Sequence, residues 1–140
     1  MDANDVKNGH VESERSEFKF SSDLSLENLR RLQSEFCEKR NWQQYHTPRN
    51  LLLAMTGEIG ELCEIFQWKS DEQCAAIDHW SSEERTHLGE ELSDVLIYLI
   101  RLAEVCHIDL CSAVLQKIKL NARKYPIEKA YGSSKKYSQL

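Results

Sequence analysis

The sequence predicts an all-α fold, a compact bundle of four main helices, from three observations. Apolar residues recur at helical spacing through four segments, capping signals bracket those segments, and no stretch alternates as a half-buried strand would. At 140 residues the chain suits one domain with a sizeable core.

Taken in order, residues 1–22 are polar and mixed in charge and read as a disordered N-terminal arm, with Phe18 and Phe20 docking at its end. The folded domain is expected over 23–126. Its first helix runs from Leu24 to Arg40 through Leu26, Leu29, Leu32 and Phe36, and Asn41 to His46 form a polar, aromatic loop. Thr47 is a good N-cap and Pro48 suits the first helical position, so a second helix runs from Pro48 to Trp68. Gly57 and Gly60 lie inside it, at about 1 kcal/mol each against alanine, which the close approach of another helix or a ligand would explain, simple tolerance being the alternative. Lys69 to Trp80 is a connection with room for a short helical turn. Ser81 and Glu84 form a capping box for a third helix to Cys106, apolar nearly all round between Val95 and Leu102 except for Arg101. Such a helix sits centrally in a bundle or at a subunit interface. Asp109 caps a fourth helix, Leu110 to Lys124, which Tyr125-Pro126 ends. Residues 127–140 read as a flexible tail.

Bulk properties exclude several functions. A net charge of −5 and a pI near 5.6 offer no electrostatic footprint for a nucleic-acid polymer, although a single nucleotide is bound locally and needs none. No run of 18 apolar residues is present, so no membrane span is expected. The N-terminus lacks a signal core and is too acidic for a transit peptide. Five cysteines without a CxxC pair fit a reduced cytoplasmic setting, with nucleus and mitochondrion left open, and place Cys63 and Cys106 in the core as small residues.

The chemistry concentrates in two acidic pairs, Glu58-x-x-Glu61 and Glu91-x-x-Asp94. On helices each pair shares one face. Glu58 and Glu61 fall in the sector of Leu51, Ala54, Met55, Leu62 and Ile65, and Glu91 and Asp94 in that of Leu88, Val95, Tyr98 and Leu102. A single such pair is usually solvated surface. Two pairs, each inside an apolar stripe, bring together carboxylates that would repel one another unless a cation lay among them. Oxygen-only ligands select a hard ion, Mg²⁺ or Mn²⁺, over zinc. Trp42, His46, Trp68 and Tyr98 offer faces on which a base can stack, or else are plain core aromatics. Lys117, Asn121 and Lys124 share a helix face suited to phosphate oxygens, which is also what a helix C-terminus prefers. No glycine-rich phosphate loop exists.

Together, these pairs resemble the MazG-like nucleoside triphosphate pyrophosphatases. The segments Trp42-Gln43-Gln44-Tyr45-His46, Pro48 to Ala54, Phe66-Gln67-Trp68-Lys69, Glu90 to Tyr98, and Asn121 with Lys124-Tyr125-Pro126 are similar to its eukaryotic dCTP-hydrolysing branch. The resemblance covers about residues 24–137. It implies a homotetramer, built as a dimer of dimers, that hydrolyses dCTP and 5-modified dCTP to the monophosphate and pyrophosphate and so sanitises the nucleotide pool. It also implies Glu58, Glu61, Glu91 and Asp94 as Mg²⁺ ligands, a base and sugar pocket of Trp42, Gln43, Gln44, Tyr45, His46, Trp68 and Tyr98, and triphosphate contacts from Lys117, Asn121, Lys124 and Tyr125. Two departures stand out. Gln33 occupies the place of a substrate-contacting His in the mammalian members, and Gln43 follows Trp42 where they have Glu. Gln33 still offers both a donor and an acceptor, so the departure bears on base preference more than on binding. Glu61 is the first choice for the group that takes a proton from water, with Glu64 and Glu90 beside it.

Two rivals come from other classes. Glu84-x-x-His87 on the face of Glu91 and Asp94 suggests a di-iron bundle, but such sites need that motif on two helices, and Glu104-x-x-His107 lies elsewhere on the same one. A non-catalytic helical oligomer held together by the third helix is the other.

Overall fold

The computed structural model describes residues 18–139, all of its regular structure being helical. Helix α1 spans Leu26–Glu38, α2 Pro48–Gln67, α3 Asp71–Ala75, α4 Ser82–Val105, α5 Leu110–Lys124 and α6 Ile127–Ala130. The four long helices are those the sequence predicts, within two residues at each end.

Their boundaries follow from side-chain capping. Ser25, Thr47, Ser81 and Asp109 each accept a hydrogen bond from a backbone N–H three residues on, which satisfies a donor the first turn leaves open. Ser81 and Glu84 complete the expected capping box, and Ser70 with Gln73 makes a second that starts α3 inside the connection. Helices α1 and α4 end in the same way without glycine. Asn41 and His107 take positive φ of 54° and 55°, while Trp42 N–H and Ile108 N–H donate five residues back to Cys37 and Ala103 carbonyls. This turn delivers Trp42 directly beside the end of α1. The aromatic loop continues as a 3-10 turn, Gln43–Tyr45, tied to α2 by Asn50 Nδ2 donating to the Tyr45 carbonyl at 2.9 Å.

The α2–α4 pair is the centre of the fold, with α1 packed on α4. Cross-links at each end make α4 antiparallel to both: Lys69 meets Glu84 at 2.7 Å, Arg101 meets His46 at 3.2 Å, and Arg30 meets Glu104 at 2.7 Å. At the turn between α2 and α4, buried Trp80 donates from Nε1 to the Gln73 carbonyl at 2.8 Å, packs on Phe66 and carries the Lys69 ammonium over its ring.

The core within one chain is small. Among the described residues, Cys37, Leu51, Trp80 and Ile100 are the buried apolar ones, whereas Leu92, Leu96 and Leu99 of α4 are exposed. Within this chain α4 is therefore not buried on every side, and its outer face is free to meet another copy. No other helix packs on α5 to an extent comparable with the α2–α4 or α1–α4 pairs, and every residue from Cys111 to Tyr125 is exposed.

Two expectations need correction, and a third narrows. Cys63 and Cys106 are exposed, and Cys37 is the buried cysteine, because Cys63 lies off the stripe of α2 that faces α4. Phe18 and Phe20 do not dock on the helices; they pack edge-to-face on each other and stay exposed. Cβ atoms placed at Gly57 and Gly60 would meet nothing within 4 Å, so no helix of this chain requires glycine there. The proposed arm lies outside the described residues as far as 17. In the tail, Tyr137 packs against Tyr125 and receives the Lys124 ammonium over its ring, alongside the single turn of α6.

Removing the Trp80 side chain opens the α2–α4 turn and leaves the Gln73 carbonyl without its indole donor. Trp80→Ala is expected to destabilise the protein by about 3–5 kcal/mol, read as a fall in denaturation midpoint at fixed protein concentration. A change below about 1 kcal/mol would show that the turn does not depend on Trp80.

Candidate active site

The acidic pairs meet where α2 and α4 cross. One carboxylate oxygen from each of Glu58, Glu61 and Glu91 lies within 4.8 Å of the other two, and among the described residues this is the only such group of three or more potential metal ligands. Glu91 is 7% exposed, Glu58 is half-buried and Glu61 is open to solvent, so the cluster is a pit with a buried floor and an exposed rim. Asp94 stands one turn along α4 from Glu91, outside the tight trio, and its charge is felt at Glu58. Burial raises the Glu58 pKa above the ordinary carboxylate range, and Asp94, Glu61 and Glu91 push it further.

The donor set fits a divalent cation. Glu91 Oε2 is fully buried and has no hydrogen-bond partner. An orphaned carboxylate oxygen is costly to keep in a protein interior, and a hard cation held by Glu58, Glu61 and Glu91 would satisfy it. The di-iron alternative finds no support in the arrangement. Glu84 is committed to Lys69 and the Ser81 cap, Glu104 to Arg30 and Arg101. His87 stands 3.6 Å from Glu91 on the exposed side.

Around the trio the predicted pocket residues divide into three groups. Towards the start of α2, Trp42 packs edge-on to Phe36 with ring centroids 5.7 Å apart, and His46 lies beyond it at 6.3 Å. The Arg40 guanidinium covers the Phe36 ring at 3.5 Å. Tyr98 connects this end to the acids. Its phenol pKa is raised by burial, then by the charges of Glu58 and Asp94, with Cys37 of α1 also within reach. Gln33, one turn before Cys37 on α1, is half-buried. Gln43, Gln44 and Tyr45 form the 3-10 turn between these aromatics and α2.

At the opposite end of α2 is Trp68, 85% exposed. It shares a cavity of about 390 Å³ with Glu61, Glu64, Lys69, His87 and Glu91. The 20 residues of α2 separate Trp68 from His46 by about 30 Å. Trp42 and Trp68 of one chain therefore flank the acids from opposite sides and do not share one base pocket. The third group, Lys117, Asn121, Lys124 and Tyr125, lies on α5 or at its end, where the contacts are with the tail. None of these four residues lines the cavity that holds Glu61 and Glu91.

The sequence reading passed over one network. Arg101 is 5% exposed. Its NH1 group donates to Glu104 at 2.6 Å and its Nε to His46 Nδ1 at 3.2 Å, while Glu104 also accepts from Arg30 at 2.7 Å. The signal was present as the one charge in the apolar middle of α4, but it names no partner on a distant loop.

Glutamine keeps the shape of Glu91 without its charge. We expect Glu91→Gln to melt no lower than the wild type in chelator and to lose stabilisation by Mg²⁺ or Mn²⁺, which amounts to about 2.7 kcal/mol at a hundred times Kd. An equal upshift in both proteins would place the cation elsewhere.

Comparison with known proteins identifies the family. The MazG-like family model matches residues 54–140. The chain is 54% identical over 123 residues to dCTP pyrophosphatase 1 of Homo sapiens, covering 88% of this chain and 72% of that protein. It is 49% identical over 142 residues to dCTP pyrophosphatase 1 of Mus musculus, covering 99% and 83%. Among solved structures, a pyrophosphatase from Archaeoglobus fulgidus superposes with a TM-score of 0.64 at 39% identity, covering 77% of this chain and 99% of that one. With its acidic pairs converging between two antiparallel helices, this chain belongs to the MazG-like family.

Proposed function

We propose that this protein hydrolyses dCTP and 5-modified dCTP to dCMP and pyrophosphate, with Mg²⁺, or Mn²⁺ in its place, held by Glu58, Glu61, Glu91 and Asp94. The observation that carries the reading is the carboxylate trio around the orphaned Glu91 Oε2, in a chain about half identical to proteins named dCTP pyrophosphatase 1.

A bound divalent ion supplies charge neutralisation at phosphate oxygens and a polarised water. The protein's own residues divide the remaining work. Glu58 and Glu91 form the deep wall of the pit, and burial at Glu91 keeps bulk water from that side. Glu61, on the exposed rim, accepts a proton from the attacking water, with Glu64 of the same cavity behind it. Tyr98 separates the acids from the aromatic end, where Trp42 offers a face for the base, and Gln33, Gln43, Gln44 and Tyr45 lie around it. Lys117, Asn121, Lys124 and Tyr125 are suited to the triphosphate by charge and hydrogen-bonding groups.

A homotetramer, as a dimer of dimers, belongs to this reading for two reasons. The apolar residues Val114, Leu115, Ile118 and Leu120 of α5 are exposed, beyond what a stable monomer leaves to water. Trp68 also lies too far along α2 from Trp42 to serve the same nucleotide unless another copy supplies one of them. Light scattering should return four times the chain mass of 16.3 kDa.

The test of the reaction is chromatography of products from each dNTP and NTP, with and without Mg²⁺. The expected result is Mg²⁺-dependent conversion of dCTP to dCMP and pyrophosphate, reduced at least a hundredfold in Asp94→Asn. Release of single phosphate, or preference for another base, would overturn the substrate and direct attention to Gln33.

Trp68→Ala is expected to raise KM for dCTP by about tenfold, as the loss of one base–aromatic stack predicts, with kcat changed far less. An unchanged KM would make Trp68 an interface residue only.

A further inference from the structure

We propose that Arg101 is a positioning residue for base recognition: it holds His46 in its Nε2–H form, so that the imidazole presents a fixed hydrogen-bond donor to the base. The inference rests on the nucleotide-hydrolysing role above and deepens it.

The argument begins with what a guanidinium can do. Arginine has five N–H donors, no acceptor, and does not lose its charge in proteins. Arg101 Nε lies 3.2 Å from His46 Nδ1, so Nδ1 must be the lone-pair nitrogen. A neutral imidazole carries one N–H, and with Nδ1 accepting, that proton sits on Nε2. The opposite tautomer would set two N–H groups against each other, and a charged imidazolium would add repulsion. Burial, and then the Arg101 charge, push the His46 pKa below its ordinary value, in agreement with this geometry.

Arg101 is itself held from behind. Glu104 receives its NH1 at 2.6 Å and is clamped in turn by Arg30 of α1 at 2.7 Å. Burial works to raise the Glu104 pKa, but the hydrogen bonds from Arg101 and Arg30 outweigh it and hold the carboxyl below its usual range. The guanidinium therefore has a fixed orientation.

The place is right for a base. Arg101 lies seven residues beyond Asp94 on α4, about 10 Å along the axis, with Tyr98 between them and Trp42 next to His46. That separation is on the scale of a nucleoside. On its pairing edge cytosine has a lone pair at N3, where uracil and thymine carry N–H. A fixed donor facing N3 accepts cytosine and leaves two donors opposed with the others, and sites of this kind reject by leaving buried polar groups unpaired.

The test combines nitrogen NMR of selectively labelled histidine with kinetics on dCTP and dUTP, using the full-length protein. In the wild type, His46 should show a lone-pair Nδ1 and a protonated Nε2 at neutral pH. In Arg101→Met the His46 signals should move towards a tautomer mixture. KM for dCTP should rise about five- to tenfold, the scale of one hydrogen bond, with kcat within about twofold and the dCTP-over-dUTP preference reduced by a similar factor. Arg101→Lys, which still donates, should recover most of both. If Arg101→Met does not fold, His46 variants decide. His46→Gln can accept from Arg101 and still donate to the base, so it should retain more of the preference than His46→Met. An unaltered tautomer in Arg101→Met, an altered tautomer with unchanged KM and preference, or equal losses in the two His46 variants would each overturn the inference. Absence of dCTP turnover in the wild type would overturn the proposed function instead. The NMR spectrum separates the two failures, because it reads the Arg101-dependent tautomer without substrate.

Discussion

The structure depends on like charges being forced together. Packing α2 against α4 places Glu58 and Glu91 on the faces that must be covered, and it brings Glu61 and Asp94 alongside. Folding alone gains nothing from this. A leucine at position 58 or 91 would bury more apolar surface without electrostatic repulsion. The raised Glu58 pKa and the orphaned Glu91 Oε2 are the local signs of that conflict. Conflicts of this type collect at functional sites. In the function proposed above a cation supplies the relief, at the carboxylates that the antiparallel crossing brings together.

A second constraint follows from how little one chain buries. Among the described residues four apolar ones are buried, against a long series of exposed leucines, isoleucines and aromatics. An isolated helix as exposed as α5 gains little from its own sequence, so its apolar face gives the chain a reason to associate. The same association would bring together aromatic groups, Trp42 and Trp68, that one chain holds at opposite ends of α2. In the proposed assembly, association and substrate enclosure become one requirement, and the glycines at 57 and 60 have open space beside them on α2.

What could be read from the sequence depended on range. Helix limits were legible because Thr47-Pro48, Ser81 with Glu84, Asp109 and Tyr125-Pro126 act on their own first or last turn. The acidic pairs were legible because helical periodicity alone places Glu58 and Glu91 within apolar stripes. Two kinds of feature were not. Cys63 was misplaced because a helix in a small bundle has only one face covered, and hydrophobicity does not say which. The separation of Trp42 from Trp68 requires knowing that both bracket one straight helix, a fact of length that residue type conceals.

Arg101 shows why a buried charge can persist without serving stability. Replacing a buried ion pair with packed apolar side chains is often neutral or favourable, and the apolar neighbours of Arg101 on α4 would accommodate that exchange. Hydrophobic side chains would hold α1 against α4 as well as the Arg30–Glu104–Arg101 chain does. They could not specify which nitrogen of His46 carries its proton. A guanidinium fixed from behind by a carboxylate can, because it donates in one direction only and does not titrate. The network therefore has its clearest physical use at its far end, where helix packing becomes a defined donor beside the aromatic face.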